Sequence, residues 1–132
     1  MTRAFVDTSA LLTLLDRADA RHEVARVTFE RLADAELVTH GYVVAEALAV
    51  VRRRFGVAGA IALIDELLPL IDVLAVDGSV HAAASARYRA SLPSGTSFVD
   101  VVSLEFMGRE AIDTAFAFDI DFATAGVEVI PG

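Results

Sequence analysis

Apolar positions along this chain change period several times, from the two-residue alternation of strands to the three-to-four-residue spacing of helices and back. "RAFVD" (3–7) predicts a short strand, and "TSALLTLLD" predicts a helix opened by Thr8 or Ser9. "ARHEVARVTFERLADA" (20–35) sets Ala25, Phe29 and Leu32 among charges as an amphipathic helix, and "ELVTH" (36–40) is strand-like. "GYVVAEALAVVRRRF" (41–55) and "AGAIALIDELL" (58–68) predict two further helices, the second ended by Pro69. "IDVLAV" (71–76) returns to a strand, "GSVHAAASARYRASL" (78–92) to a helix, and "PSGTS" (93–97) is a loop. "FVDVVSLEFMGRE" (98–110) predicts a helix, "TAFAF" (114–118) a strand and "VEVI" (127–130) a closing edge strand. Strands alternating with helices, without a linker or repeat, predict one α/β domain over 1–132 with a parallel sheet between helices. Its functional crevice is expected beyond the carboxyl ends of the strands.

Composition changes this picture in two ways. The chain has 132 residues, 55% of them hydrophobic, and a mean hydropathy of +0.56, high enough to predict a dense core plus surface covered by a partner. Its apolar runs are short and broken by charge, as Asp7 and Asp16 break the first, so neither a spanning helix nor a signal peptide is expected. With no cysteine, disulfide and thiolate chemistry are excluded, which is compatible with the cytoplasmic location expected for the chain. Net charge is −8, and all eleven basic residues are arginine. A chain this acidic lacks the cationic surface of a nonspecific nucleic-acid binder, unless carboxylates hold divalent cations and so reverse the sign a phosphate meets.

The acids make that exception worth pursuing. Asp7 closes the first strand immediately before a helix, where it either caps that helix or serves a site. Asp119 closes "TAFAF" in the same manner, and two parallel strands that end in aspartate deliver both carboxylates to one rim. Asp100 lies three residues after Ser97, the N3 position if Ser97 is the N-cap, yet Phe98, Val99, Val101 and Val102 surround it with an apolar collar. Glu46 sits among alanines, valines and a leucine, one helical turn from Tyr42 and two from Arg53. It either faces solvent or tilts over the strand ends to join the three aspartates. Asp121 forms an i, i+2 pair with Asp119, on the same side if the chain is extended there, or else is a turn residue after the strand.

Converging carboxylates raise one another's pKa unless a cation sits among them. Oxygen ligands without cysteine or a histidine cluster point to Mg²⁺ or Mn²⁺. Such a site suits phosphodiester hydrolysis, with Arg53 as an assisting cation. His22, His40 and His81 are scattered, and Ser9, Ser97 and Ser103 lack the base and orienter that nucleophilic catalysis needs. "RFGVAG" lacks the spacing and lysine of a phosphate loop, and "VRRRF" is a local basic patch, either a solvated helix end or a phosphate contact.

"FVDTSALL", the mid-helix Glu46, "TSFVDVVSLEFM" and "AFAFDIDF", in that order over nearly the whole chain, resemble the blocks of PIN-domain ribonucleases, specifically the VapC-like toxins. The resemblance implies a three-layer α/β/α sandwich with a central, mainly parallel sheet. It implies a site of Asp7, Glu46, Asp100 and Asp119, with Ser97 preceding the third acid and Thr8 or Ser9 supporting the first. The position of Asp121 varies in the family. Many relatives carry a further acid just before the serine of the third block, where this chain reads "SGTS". Also implied are Mg²⁺ or Mn²⁺, an RNA substrate (tRNA or rRNA), a homodimer, a VapB-like antitoxin and a larger toxin–antitoxin assembly. Two rival readings are a PIN-like nuclease for RNA processing or DNA flaps, and a catalytically idle acidic groove that binds a basic peptide.

Overall fold

β1 (Arg3–Val6) is the axis of the molecule, and Ala4, Phe5 and Val6 are wholly buried. A central parallel strand is covered on both faces, which is why its sequence runs apolar without alternation. The computed structural model describes residues 2–132. In it β1 pairs on one side with β2 (Glu36–His40), which pairs in turn with β3 (Asp72–Leu74). On its other side β1 pairs with β4 (Thr114–Phe116), and β4 with β5 (Glu128–Ile130). Every pairing is parallel and the order is β3-β2-β1-β4-β5. The chain thus builds outward from β1 in one direction and then returns to build in the other. The crevice between the carboxyl ends of β1 and β4 is the topological switch point, where parallel sheets carry their ligands.

Helices complete a three-layer α/β/α sandwich. α1 (Thr8–Leu15) packs against α2 (His22–Arg31) and α3 (Gly41–Ala62), and α4 (Gly78–Ala90) against α5 (Phe98–Glu110). α3 is broken at Gly56, whose φ of 70° and ψ of −160° are inaccessible to most side chains without strain, so the two helices expected on either side meet at a kink. Beyond it Gly59 lets the helix close on Phe55, since a Cβ there would come within 2.5 Å of the Phe55 Cβ. A π turn (Leu63–Leu67) and a 3₁₀ turn (Leu68–Leu70) containing Pro69 finish the segment.

Several expected boundaries move. The helix expected over 20–35 is confined to His22–Arg31, and the strand expected over 71–76 to Asp72–Leu74. The larger correction concerns 114–122. β4 ends at Phe116, so Asp119 does not close the strand directly, and a short helix α6 (Ile120–Thr124) follows that the alternation did not predict. Among the described residues no helix is long and apolar enough to cross a membrane.

Candidate active site

Asp7 follows β1 and is the N-cap of α1, so the capping and site readings hold together. Its Oδ2 accepts from the Ser9 backbone N–H (3.2 Å) and from the Ser9 hydroxyl (2.6 Å). The same Ser9 oxygen accepts from the Phe118 N–H (2.9 Å), and the Asp7 N–H donates to the Phe116 carbonyl (3.0 Å). One serine therefore ties the turn after β1 to the turn after β4, and it holds Asp7 with one oxygen engaged. The other oxygen, Oδ1, is buried without a partner, as is the Thr8 hydroxyl. An orphaned carboxylate oxygen in a residue only 2% exposed is costly unless a cation or solvent reaches it.

Asp119 is the N-cap of α6 and accepts the Asp121 N–H on Oδ1 (2.9 Å). Asp121 lies in the first helical turn, not in an extended pair with Asp119. Ser97 is the N-cap of α5, its Oγ accepting from the Asp100 N–H (3.1 Å), which places Asp100 at N3 as its spacing suggested. Three helix N-termini thus turn their capping acids or first-turn acids toward one rim. Carboxylate oxygens of Asp100, Asp119 and Asp121 lie within 4.8 Å of one another, near enough to share one small cation.

Glu46 comes from α3, whose start is fixed by His40. The His40 Nδ1 accepts from the N–H groups of Tyr42 (3.2 Å) and Val43 (3.4 Å), so Nε2 carries the proton and donates to Ser103 Oγ (2.9 Å). Burial pushes the His40 pKa down to about 4, and the ring stays neutral as a structural cap. His22 bonds the Thr13 carbonyl and His81 the Tyr42 hydroxyl, so the three histidines go separate ways, as their scatter implied.

All five acids, Asp7, Glu46, Asp100, Asp119 and Asp121, line one open cleft of about 440 Å³. Thr8, Ser9, Ser97 and Arg53 line it as well. Arg54, also in the lining, was not singled out from "VRRRF"; only the helical phase, not the composition of the run, separates it from Arg52. Neither Arg53 nor Arg54 makes an ion pair among the described residues. Burial, then repulsion from Asp119, raises the Asp7 pKa to about 6 against the pull of its Ser9 hydrogen bonds. Asp100 is pushed up to about 8, by burial first, then by a hydrogen bond with Asp119 and the charges of Asp7 and Asp119. Carboxyls that share protons in a cleft beside free arginines form an arrangement suited to a divalent cation and a phosphate.

The PIN domain family model matches residues 4–128, from within β1 to the first residue of β5, and takes in every acid of the cleft. The chain belongs to the PIN domain family. Within it this is a VapC-like toxin, one of the nucleic-acid-cleaving hydrolases of toxin–antitoxin pairs. The PIN chain is 33% identical over 129 residues to the 23S rRNA-specific endonuclease VapC20 of Mycobacterium tuberculosis, an alignment covering 96% of this chain and 98% of that protein. It superposes on the crystal structure of that VapC20, described as a sarcin–ricin loop cleaving toxin, with a TM-score of 0.86, covering 94% of this chain and 95% of the other at 30% identity. VapBC2 of Rickettsia felis, solved on a promoter DNA fragment, shares the fold at a TM-score of 0.73 and 13% identity, with 97% of each chain covered.

Proposed function

We propose that this PIN domain is a Mg²⁺- or Mn²⁺-dependent endoribonuclease, a single domain over residues 1–132, that cuts the sarcin–ricin loop of 23S rRNA. The observation that carries the reading is the buried, unpartnered Asp7 Oδ1 beside the close trio Asp100, Asp119 and Asp121. The donor set is all oxygen, which fits a hard divalent cation. Asp7, Asp100 and Asp119 are the main ligands, with Glu46 completing the ring and Asp121 and Ser97 in support. When bound, the cation supplies Lewis acidity to a phosphate oxygen and acidifies the attacking water.

The chain's own groups do the rest. Glu46, on the α3 wall of the cleft, accepts the proton of the water whose oxygen attacks phosphorus. As that bond forms, the bond from phosphorus to the leaving ribose oxygen breaks, and solvent returns a proton to the leaving oxygen. Arg53, with Arg54 beside it, meets charge on the phosphate, and the unpartnered Thr8 hydroxyl offers a donor inside the same cleft. The choice of 23S rRNA rests on the 33% identity to VapC20 along almost the full length of both chains. A VapB-like antitoxin is the partner proposed to silence the site, and a homodimer the working unit. Their apolar contacts account for exposed Val57, Ile61 and Ile64 on the second half of α3 and the turn after it.

The test incubates purified protein with Mn²⁺ and a sarcin–ricin hairpin RNA and maps the ends. A single cut in the loop, lost on chelation and in Asp7→Asn, is expected. Equal cleavage by Asp7→Asn, or none by wild-type protein, would defeat the reading, and indifference to RNA with binding of a basic peptide would favour the idle groove.

A further inference from the structure

Both tyrosines of the chain and one phenylalanine gather in a small satellite cluster rather than in the main core. Phe98 adjoins Ser97, which lines the cleft, and Tyr42 stands one helical turn before Glu46, on the same side of α3. The Phe98 and Tyr42 rings are 6.3 Å apart at 31°, and Tyr88 meets Phe98 edge-on at 5.4 Å. Exposed His81 stands against both Tyr42 (5.8 Å, 76°) and Phe98 (5.7 Å, 76°), with its Nδ1 hydrogen-bonded to the Tyr42 hydroxyl (2.7 Å). Beneath lie Ala84, Val101 and Val102, with Val76 at their side, a thin floor of small residues that leaves the rings partly exposed. The other phenylalanines all pack in the main core.

Resting on the ribonuclease reading above, we infer that Tyr42 and Phe98, oriented by His81, form a stacking subsite for an unpaired nucleobase next to the phosphate that is cut. Three physical reasons select that occupant. A chain of net charge −8 has little phosphate attraction to spend beyond the cation and the cleft arginines, so affinity for RNA must come largely from the bases. Aromatic faces are what unstacked bases of looped RNA dock on. The subsite also adjoins the acidic cleft along the chain, Phe98 next to Ser97 and Tyr42 one helical turn from Glu46, which brings a base neighbouring the bound phosphate within reach of the rings. A polar tip on each side, the Tyr42 hydroxyl and the free edge of His81, gives that base edge something to bond.

The test measures Mn²⁺-dependent cleavage of the sarcin–ricin hairpin and of copies in which each nucleotide flanking the cut is made abasic in turn. Tyr42→Leu is expected to raise KM on intact RNA by about tenfold while kcat changes little. One abasic position should impose a similar loss on the wild type and no further loss on Tyr42→Leu, because the removed partners are the same contact. Tyr42→Phe, which keeps the ring but loses the hydroxyl that bonds His81, should raise KM by less than Tyr42→Leu. Because His81 is exposed, His81→Ala keeps the fold and carries the same coupling test, with a smaller rise in KM, should Tyr42→Leu fail to fold. A wild-type KM in folded Tyr42→Leu, or losses that multiply at every abasic position, would overturn the subsite. So would a change of oligomeric state with unchanged KM, which makes this face a protein contact. Cleavage by wild-type protein is the reference in every arm; its absence condemns the ribonuclease reading itself, whereas an active wild type with indifferent variants condemns only the stacking subsite.

Discussion

On α2 and the turn before it, acids meet arginines: Glu23 and Glu30 both pair with Arg26, three and four residues away, and Asp19 pairs with Arg21. At the carboxyl rim of the sheet, acids meet acids. The pairs with Arg26 and Arg21 hold Glu23 and Asp19 below the usual carboxylate range, whereas burial and neighbouring charge hold Asp7 and Asp100 well above it. Arginine was available at the rim too, since Arg53 and Arg54 reach the same cleft and pair with nothing among the described residues. The difference teaches that the rim is not arranged to stabilise the apo fold. Its carboxylates stay uncompensated by arginine, as the proposed cation site requires, while the outer face of α2 settles its charges within one helical turn.

Breaking the rim gives the largest expected effect. Asp100→Asn should lower metal-supported cleavage by about a hundredfold or more and, measured with chelator present, raise Tm, because it removes a carboxylate that burial disfavours. A variant that loses both activity and Tm would instead mark Asp100 as structural.

Next comes pH. A carboxyl whose folded pKa is raised favours the folded state while protonated. That contribution is complete below the ordinary value of 3.8 and is lost as pH rises through about 6 for Asp7 and about 8 for Asp100. In chelator, the Tm advantage of Asp100→Asn over wild type should therefore grow between pH about 6 and about 8.5, and Mn²⁺ should raise wild-type Tm more at the higher pH. A flat difference would mean that Asp100 is already ionised in the folded protein throughout that window.

A smaller effect is expected where the two turns are tied together. Ser9→Ala removes the hydroxyl shared by Asp7 Oδ2 and the Phe118 N–H and should cost about 1–2 kcal/mol in denaturant unfolding, with a partial loss of cleavage. Smallest of all, Arg26→Ala breaks the exposed α2 pairs and should move Tm by less than about two degrees, with cleavage unchanged. A large effect there would erase the contrast between the regions.

Much of this was legible in the residues themselves. Runs such as "RAFV" and "ELVTH" announce buried parallel strands because both faces of such a strand are covered, and acids after β1 and at N3 of α5 follow from strand and cap spacing. The segment around Asp119 was not, because "FDIDF" alternates like a strand while the backbone turns after Phe116 and a single capping aspartate starts a helix of five residues. Nothing periodic distinguishes so short a helix from an extended pair. Likewise the clustering of Tyr42, His81 and Phe98 depends on how α3, α4 and α5 cross, which no local pattern encodes.

The most direct test of the central claim, that the rim carboxylates share one divalent cation, is calorimetric titration of Mn²⁺ into the purified protein at neutral pH in two buffers of different ionisation enthalpy. The account predicts saturable binding accompanied by proton release, since the cation displaces the proton that Asp100 otherwise holds, with both the binding and the release reduced in Asp100→Asn. No Mn²⁺ binding, or binding and proton release identical in wild type and Asp100→Asn, would contradict it.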